Sequence, residues 1–183
     1  MAEWLAGLQT AQAKALKALL AGHPIVATLL ESLIENSPFL WELASRNPER
    51  LLRLLGADPE KHLTALLVEH ARAMAATEDD AEAMRLLRAM KAEAALLIGL
   101  ADIGGVWPVM RATRALTDLA DAAVSAAARF VLAEAARAGR LAPKDKSRPQ
   151  DGSGCIVLAM GKMGAFELNY SSDIDLIVFY DPA

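Results

Sequence analysis

The sequence is short of cysteine: Cys155 is the only one in 183 residues. No internal disulfide can form, and the apolar run around this thiol suits packing better than reactivity. Such usage fits a reducing compartment. An excess of positive charge is also missing, since 19 Lys and Arg stand against 23 Asp and Glu, for a formal charge of -4. Nothing in that balance draws the chain toward nucleic acid or anionic lipid, so any such partner would have to be recognised locally. Long apolar runs are absent too. Ala94 to Ala101 falls far short of the about 20 residues of a spanning helix, and Met1-Ala-Glu-Trp4 lacks the basic and apolar regions of a leader. These absences predict a cytoplasmic protein that binds neither membrane nor nucleic acid. The three histidines, His23, His62 and His70, have no Cys/His cluster beside them and predict no metal site. No period of 20 to 50 residues marks a repeat array.

What is present is material for a core, with 54% hydrophobic residues. From Met1 to about Ala138 the chain is rich in Ala, Leu, Arg, Glu and Met and poor in β-branched residues, which predicts helix throughout. Three cap-and-proline pairs, Ser37-Pro38, Asn47-Pro48 and Asp58-Pro59, punctuate it: the polar side chain accepts an orphan amide bond while proline takes the first helical position. Thr77, followed by Glu78, Asp79 and Asp80, starts a longer helix that Gly104-Gly105 ends. In the next helix Leu116, Leu119, Ala120, Ala123, Val124, Ala127, Phe130, Val131 and Ala135 recur on one face. The two long helices predict an antiparallel hairpin.

Composition changes over residues 139–154, rich in Gly, Pro and charge, which predicts an exposed linker. Beyond it Cys155 to Met160 reads as a buried strand, Gly161 to about Leu168 as a short helix, and Ile174 to Tyr180 as a second strand. The expected organisation is therefore a helical region 1–138, a linker 139–154, and the opening of a second domain at 155–183. Two strands and one helix cannot bury both faces of a sheet, so this last unit reads as truncated.

The chemistry concentrates there. On a strand Asp173 and Asp175 would face the same side, while Ile174 and Leu176 face the core. Two adjacent carboxylates repel, and a divalent cation relieves the repulsion; oxygen ligands favour Mg²⁺ or Mn²⁺, whose shells are completed by water and phosphate oxygens. That pattern suits phosphoryl or nucleotidyl transfer. Gly161 lets backbone amides approach an anion, and Lys162 adds a positive charge. The turn is not a Walker A loop, because Met163 stands where Ser or Thr is required. Ser171 and Ser172 either donate to phosphate or hold the turn.

The stretch Gly161-Lys-Met-Gly-Ala-Phe-Glu-Leu-Asn-Tyr-Ser-Ser-Asp-Ile-Asp-Leu176 resembles the signature of the glutamine synthetase adenylyltransferase/adenylyl-removing enzymes, members of the DNA polymerase β-like nucleotidyltransferase superfamily. Ser37-Pro-Phe-Leu40 and the stretch from Leu87 to Leu119, with Gly99-Leu-Ala-Asp102 inside it, resemble the helical N-terminal region of the same family. Ala165 stands where that family often has a second consecutive glycine. The resemblance implies a predominantly helical α+β fold, in which helices precede the first strands of a polymerase β-like sheet. It implies an adenylyl-removing domain that takes AMP off a tyrosine of glutamine synthetase by phosphorolysis, yielding ADP, under the control of glutamine and a PII signalling protein. ATP, ADP and phosphate are the implied small partners. In this reading Asp173 and Asp175 are catalytic and bind the metal ions, and Gly161, Lys162, Ser171 and Ser172 flank the phosphate. A third carboxylate is required from a later strand, so the 183 residues alone are expected to turn over little substrate. Two other readings compete: a helical module that docks glutamine synthetase or a PII regulator, and a polymerase β-like transferase with another target.

Overall fold

The computed structural model describes residues 1–8 and 11–181. It is predominantly helical α+β: nine helices and two strands are found among the described residues. The helices are α1 (Ala2–Gly7), α2 (Ala11–Gly22), α3 (Pro24–Asn36), α4 (Pro38–Ser45), α5 (Pro48–Leu55), α6 (Pro59–Ala76), α7 (Asp80–Ile103), α8 (Val109–Arg137) and α9 (Gly161–Gly164). The strands are β1 (Cys155–Ala159) and β2 (Leu176–Tyr180). Gln9 and Thr10, inside the stretch expected to be helical, lie outside the described residues. No single helix among those described is long and apolar enough to cross a membrane.

The expected helix starts are made by local chemistry. Ser37 accepts from the Leu40 amide at 3.4 Å and Asn47 from the Arg50 amide at 2.9 Å. Asp58 accepts from the amides of Glu60 and Lys61. Each side chain satisfies an amide that has no intrahelical acceptor. The long helix begins slightly later than expected. Asp79 accepts from the Ala81 and Glu82 amides, while the Thr77 hydroxyl serves the Asp79 amide in front of it.

Two compact units divide the chain: Met1–Thr64 with Ala92–Ala112, and Ala65–Lys91 with Thr113–Ala183. In the first, the core is leucine-rich; Leu16, Leu30, Leu33, Leu40 and Leu51 are fully buried, as are Leu96, Leu97 and Ile98 of α7. Residues 94–101 of that helix are buried all round, which explains an apolar run without an amphipathic period. A β-carbon on Gly99 would lie 2.7 Å from a methyl of Leu40, so a larger residue there would force that leucine to shift. Trp4 and Trp41 meet edge to face at 4.9 Å, and the Trp4 indole donates to the Ser45 carbonyl. α3, α5 and α7 leave an apolar cleft of about 500 Å³ lined by residues such as Val26, Leu29, Leu55 and Leu100.

In the second unit Met74, Ala83 and Phe130 form a buried cluster with Leu86, Leu87 and Ala126 packed against it. The α8 stripe is buried at Leu116, Leu119 and Phe130, but Val131 is exposed. Val131 follows Phe130 by about 100° around the helix, which carries it off the packed face. After α8 the chain has neither helix nor strand until Cys155.

β1 and β2 pair antiparallel in a two-stranded sheet, with Cys155 opposite Tyr180 and Ala159 opposite Leu176. This differs from the expectation of a buried first strand and of a second with Ile174 and Leu176 facing a core. Cys155, Val157 and Ala159 are half-buried, Ile156 and Leu158 are exposed, and all of β2 is exposed. The described residues give this sheet one partly covered side, and a continuous apolar run cannot say what lies over it.

Candidate active site

The residues singled out from the sequence lie in the second unit, where β1 runs into α9 and the chain returns through β2. The strand ladder ends at Ala159 and Leu176, and one further bond keeps its register: the Met160 amide donates to the Asp175 carbonyl at 2.9 Å. Met160 and Asp175 therefore face each other where the turn begins. Side chains alternate along a strand, which puts Asp175 on the sheet face of Ile177 and Phe179, opposite to Leu176.

Both aspartates precede β2, which begins at Leu176, so neither sits on the strand where the sequence predicts a side-by-side pair. Ile174 and Leu176 were expected to face a core, yet they are 39% and 36% exposed. Both carboxylates are exposed, and neither joins an ion pair among the described residues. No guanidinium among the described residues neutralises them.

Gly161 meets this acidic end directly. Its φ is 54°, a left-handed conformation that disfavours any β-carbon, and a β-carbon placed there would lie 3.1 Å from Asp175 Oδ2. Glycine thus avoids both the backbone strain and the crowding of the carboxylate that a side chain would bring there. α9 is a single turn, shorter than the helix expected through Leu168. The Gly164 amide donates to Met160 and that of Ala165 to Gly161, which leaves the amides of Gly161, Lys162 and Met163 ahead of the first helical bond. Met163 is 3% exposed and Leu168 4% exposed, anchoring the turn on both sides. Lys162 is exposed and in no ion pair among the described residues.

Ser171 and Ser172 are organised by Asn169. Its side-chain oxygen accepts from the Ser171 amide at 3.1 Å and from the Ser172 hydroxyl at 2.9 Å, and its carbonyl accepts from the Ser172 amide. The Ser172 hydroxyl oxygen also accepts from the Asn169 amide. Here the serines hold the turn that leads into Asp173. Asn169 was not singled out from the sequence, although an Asn two residues before a Ser pair is a known turn signal.

Among the described residues no three His, Cys, Asp or Glu side chains converge as a metal-binding group. The two aspartates offer hard oxygen donors beside backbone amides and a lysine, and that donor set fits a hydrated Mg²⁺ or Mn²⁺ shared with a phosphate better than a fully protein-ligated ion.

A predominantly helical α+β chain, with a glycine-lysine turn packed on an aspartate hairpin, is the class these features define. The chain belongs to the glutamate-ammonia ligase adenylyltransferase family, which it matches over residues 27–183. It is 56% identical over 98% of its length to the bifunctional glutamine synthetase adenylyltransferase/adenylyl-removing enzyme of Bradyrhizobium diazoefficiens. Relatives of the same description are 53% identical over 99% of this chain in Rhodopseudomonas palustris and 52% identical over 95% in Xanthobacter autotrophicus. The chain spans 18% of the length of each of these relatives. No solved structure matches it.

Proposed function

We propose that the chain contributes part of the adenylyl-removing site of an enzyme that controls glutamine synthetase by reversible adenylylation. The observation that carries this reading is the placement of the Asp175 carboxylate against the open side of Gly161, 3.1 Å from where a β-carbon would stand, which brings the glycine-lysine turn and the Asp-x-Asp segment together. In this reading an oxygen of inorganic phosphate attacks the phosphorus of tyrosine-bound AMP, the bond to the tyrosyl oxygen breaks, and ADP forms. The proton carried by the phosphate ends on the tyrosine, so no covalent enzyme intermediate is needed.

Asp173 and Asp175 would hold Mg²⁺ or Mn²⁺, which when bound supplies Lewis-acid stabilisation of the phosphoryl oxygens. The chain's own residues do the rest of the positioning. Gly161 leaves room for the Asp175 carboxylate, Lys162 presents a point charge to a phosphate, and the amides ahead of the first α9 bond offer donors to the same anion. Ser171 and Ser172, tied back by Asn169, fix the approach to Asp173. A PII signalling protein is the regulatory partner in this reading.

In the whole natural protein, the paired change Asp173→Asn and Asp175→Asn is expected to cut phosphate-dependent ADP release from adenylylated glutamine synthetase by more than about a hundredfold. That exceeds the usual loss on removing an outer-shell partner. Circular dichroism and melting should be unchanged. Wild-type rates from the paired variant would refute the assignment.

A further inference from the structure

Between the glycine-lysine turn and the aspartates the chain makes a reversal of a kind usually given to glycine. The Glu167 amide donates to the Lys162 carbonyl at 2.8 Å and the Phe166 amide to the Met163 carbonyl at 3.2 Å. These are the two bonds of a Schellman closure, and the residue between them must take the left-handed conformation. Phe166 takes it, with φ at 61°, and no other non-glycine residue among those described has a positive φ. A bulky side chain held in that region persists only where its surroundings over-determine it.

The surroundings are specific. The Arg114 guanidinium, near the start of α8, lies 4.6 Å over the Phe166 ring. Its Nε donates to Asp118 Oδ1, one turn further along α8, at 2.9 Å. Asp118 orients the guanidinium, and the ring face receives the cation. This is not core packing: Phe166 is 41% exposed and the Arg114 side chain 59% exposed, while Met163 and Leu168 supply the buried anchors of the same turn.

We propose that Phe166 and Arg114 are positioning residues: their stack ties the exit of α9 to α8 and so fixes the path by which residues 167–175 bring Asp175 back to Gly161, with Asp173 two residues before it. The inference rests on the reading of those aspartates as a divalent-cation site and names what orients them. A merely structural role makes a clear counter-prediction, because glycine is the comfortable residue at position 166. Phe166→Gly should then leave both stability and function intact or improved.

The test uses the whole natural protein, with Mn²⁺ binding followed by the loss of the free-ion electron paramagnetic resonance signal. The binding in question is the part that Asp173→Asn/Asp175→Asn abolishes. Phe166→Gly and Arg114→Gln are each expected to weaken it about 10- to 100-fold, the range for groups that orient metal ligands. Phe166→Gly should not lower the melting temperature. Phe166→Tyr, which keeps the ring face, should restore wild-type affinity, and the Phe166→Gly/Arg114→Gln double variant should be no worse than either single change. Wild-type Mn²⁺ affinity in Phe166→Gly, with binding still lost in the aspartate variant, overturns the stack alone. A loss that simply tracks a fall in melting temperature overturns it as well. Mn²⁺ binding that survives the aspartate changes overturns the metal reading together with the inference built on it.

Discussion

Gly161 shows how much one position can decide. Its left-handed backbone strains any β-carbon, and a β-carbon there would also crowd the Asp175 carboxylate. Alanine there costs about 1–2 kcal/mol in backbone terms, a shift of roughly 2–4 °C per kcal/mol in a chain of this size. The effect on function should be larger, since a displaced carboxylate misplaces the reacting groups. On the proposed reading, Gly161→Ala in the whole natural protein is expected to lower AMP removal about a hundredfold. Melting curves and ADP release measured together would show the disproportion, and an equal loss in both would count against it. The sequence discloses Gly161 and Asp175 as candidates because glycine turns and paired acids carry chemical meaning by themselves. It conceals Phe166, because local rules assign glycine to a left-handed helix end, and the Arg114 that stacks on it lies far away along the chain.

At the scale of elements, α5, α6 and α7 are linked by a cluster of charges. Arg53 Nη2 lies 2.8 Å from one Glu93 carboxylate oxygen, and His62 Nε2 lies 2.7 Å from the other. Burial of Glu93 pushes its carboxyl up, but hydrogen bonds from Arg53 and His62, with their charges, outweigh burial and hold it below the ordinary 4.5. A carboxyl depressed in the folded state adds stability that is complete above its unfolded value and disappears as pH falls through its folded value. Glu93→Gln should therefore melt below wild type at pH 7, and the gap should close as the pH drops from about 5 toward 3. A gap that stays constant over that range would show that the carboxylate charge is not what binds the three helices. Nothing in the sequence announces this cluster, because its members are 31 and 40 residues apart. The helix starts are the opposite case. Ser37, Asn47 and Asp58 act within three residues of themselves, so the expected caps and the observed ones coincide.

Over the whole molecule the helical part was legible from composition and the sheet only from its apolar runs. The burial of those runs was not, since it depends on neighbours that a local pattern does not contain. Ile156, Leu158, Ile177, Val178 and Phe179 are all more than 40% exposed, and a hairpin of that kind invites association. Expressed as these 183 residues, the protein should self-associate with rising concentration in sedimentation velocity, and Ile177→Lys should suppress it. A monomer at all concentrations would show the hairpin to be covered. The Met160–Asp175 bond gives this same hairpin a second significance. It closes residues 161–174 into a loop whose two ends are tied at the mouth, so changes at exposed positions of the arc that leave the Phe166 stack and the Asn169 turn in place can be absorbed there without changing how the acid meets the turn. Lengthening either strand by a single residue offers no such tolerance, because it reverses inside and outside at position 175 and turns the acid away from the glycine.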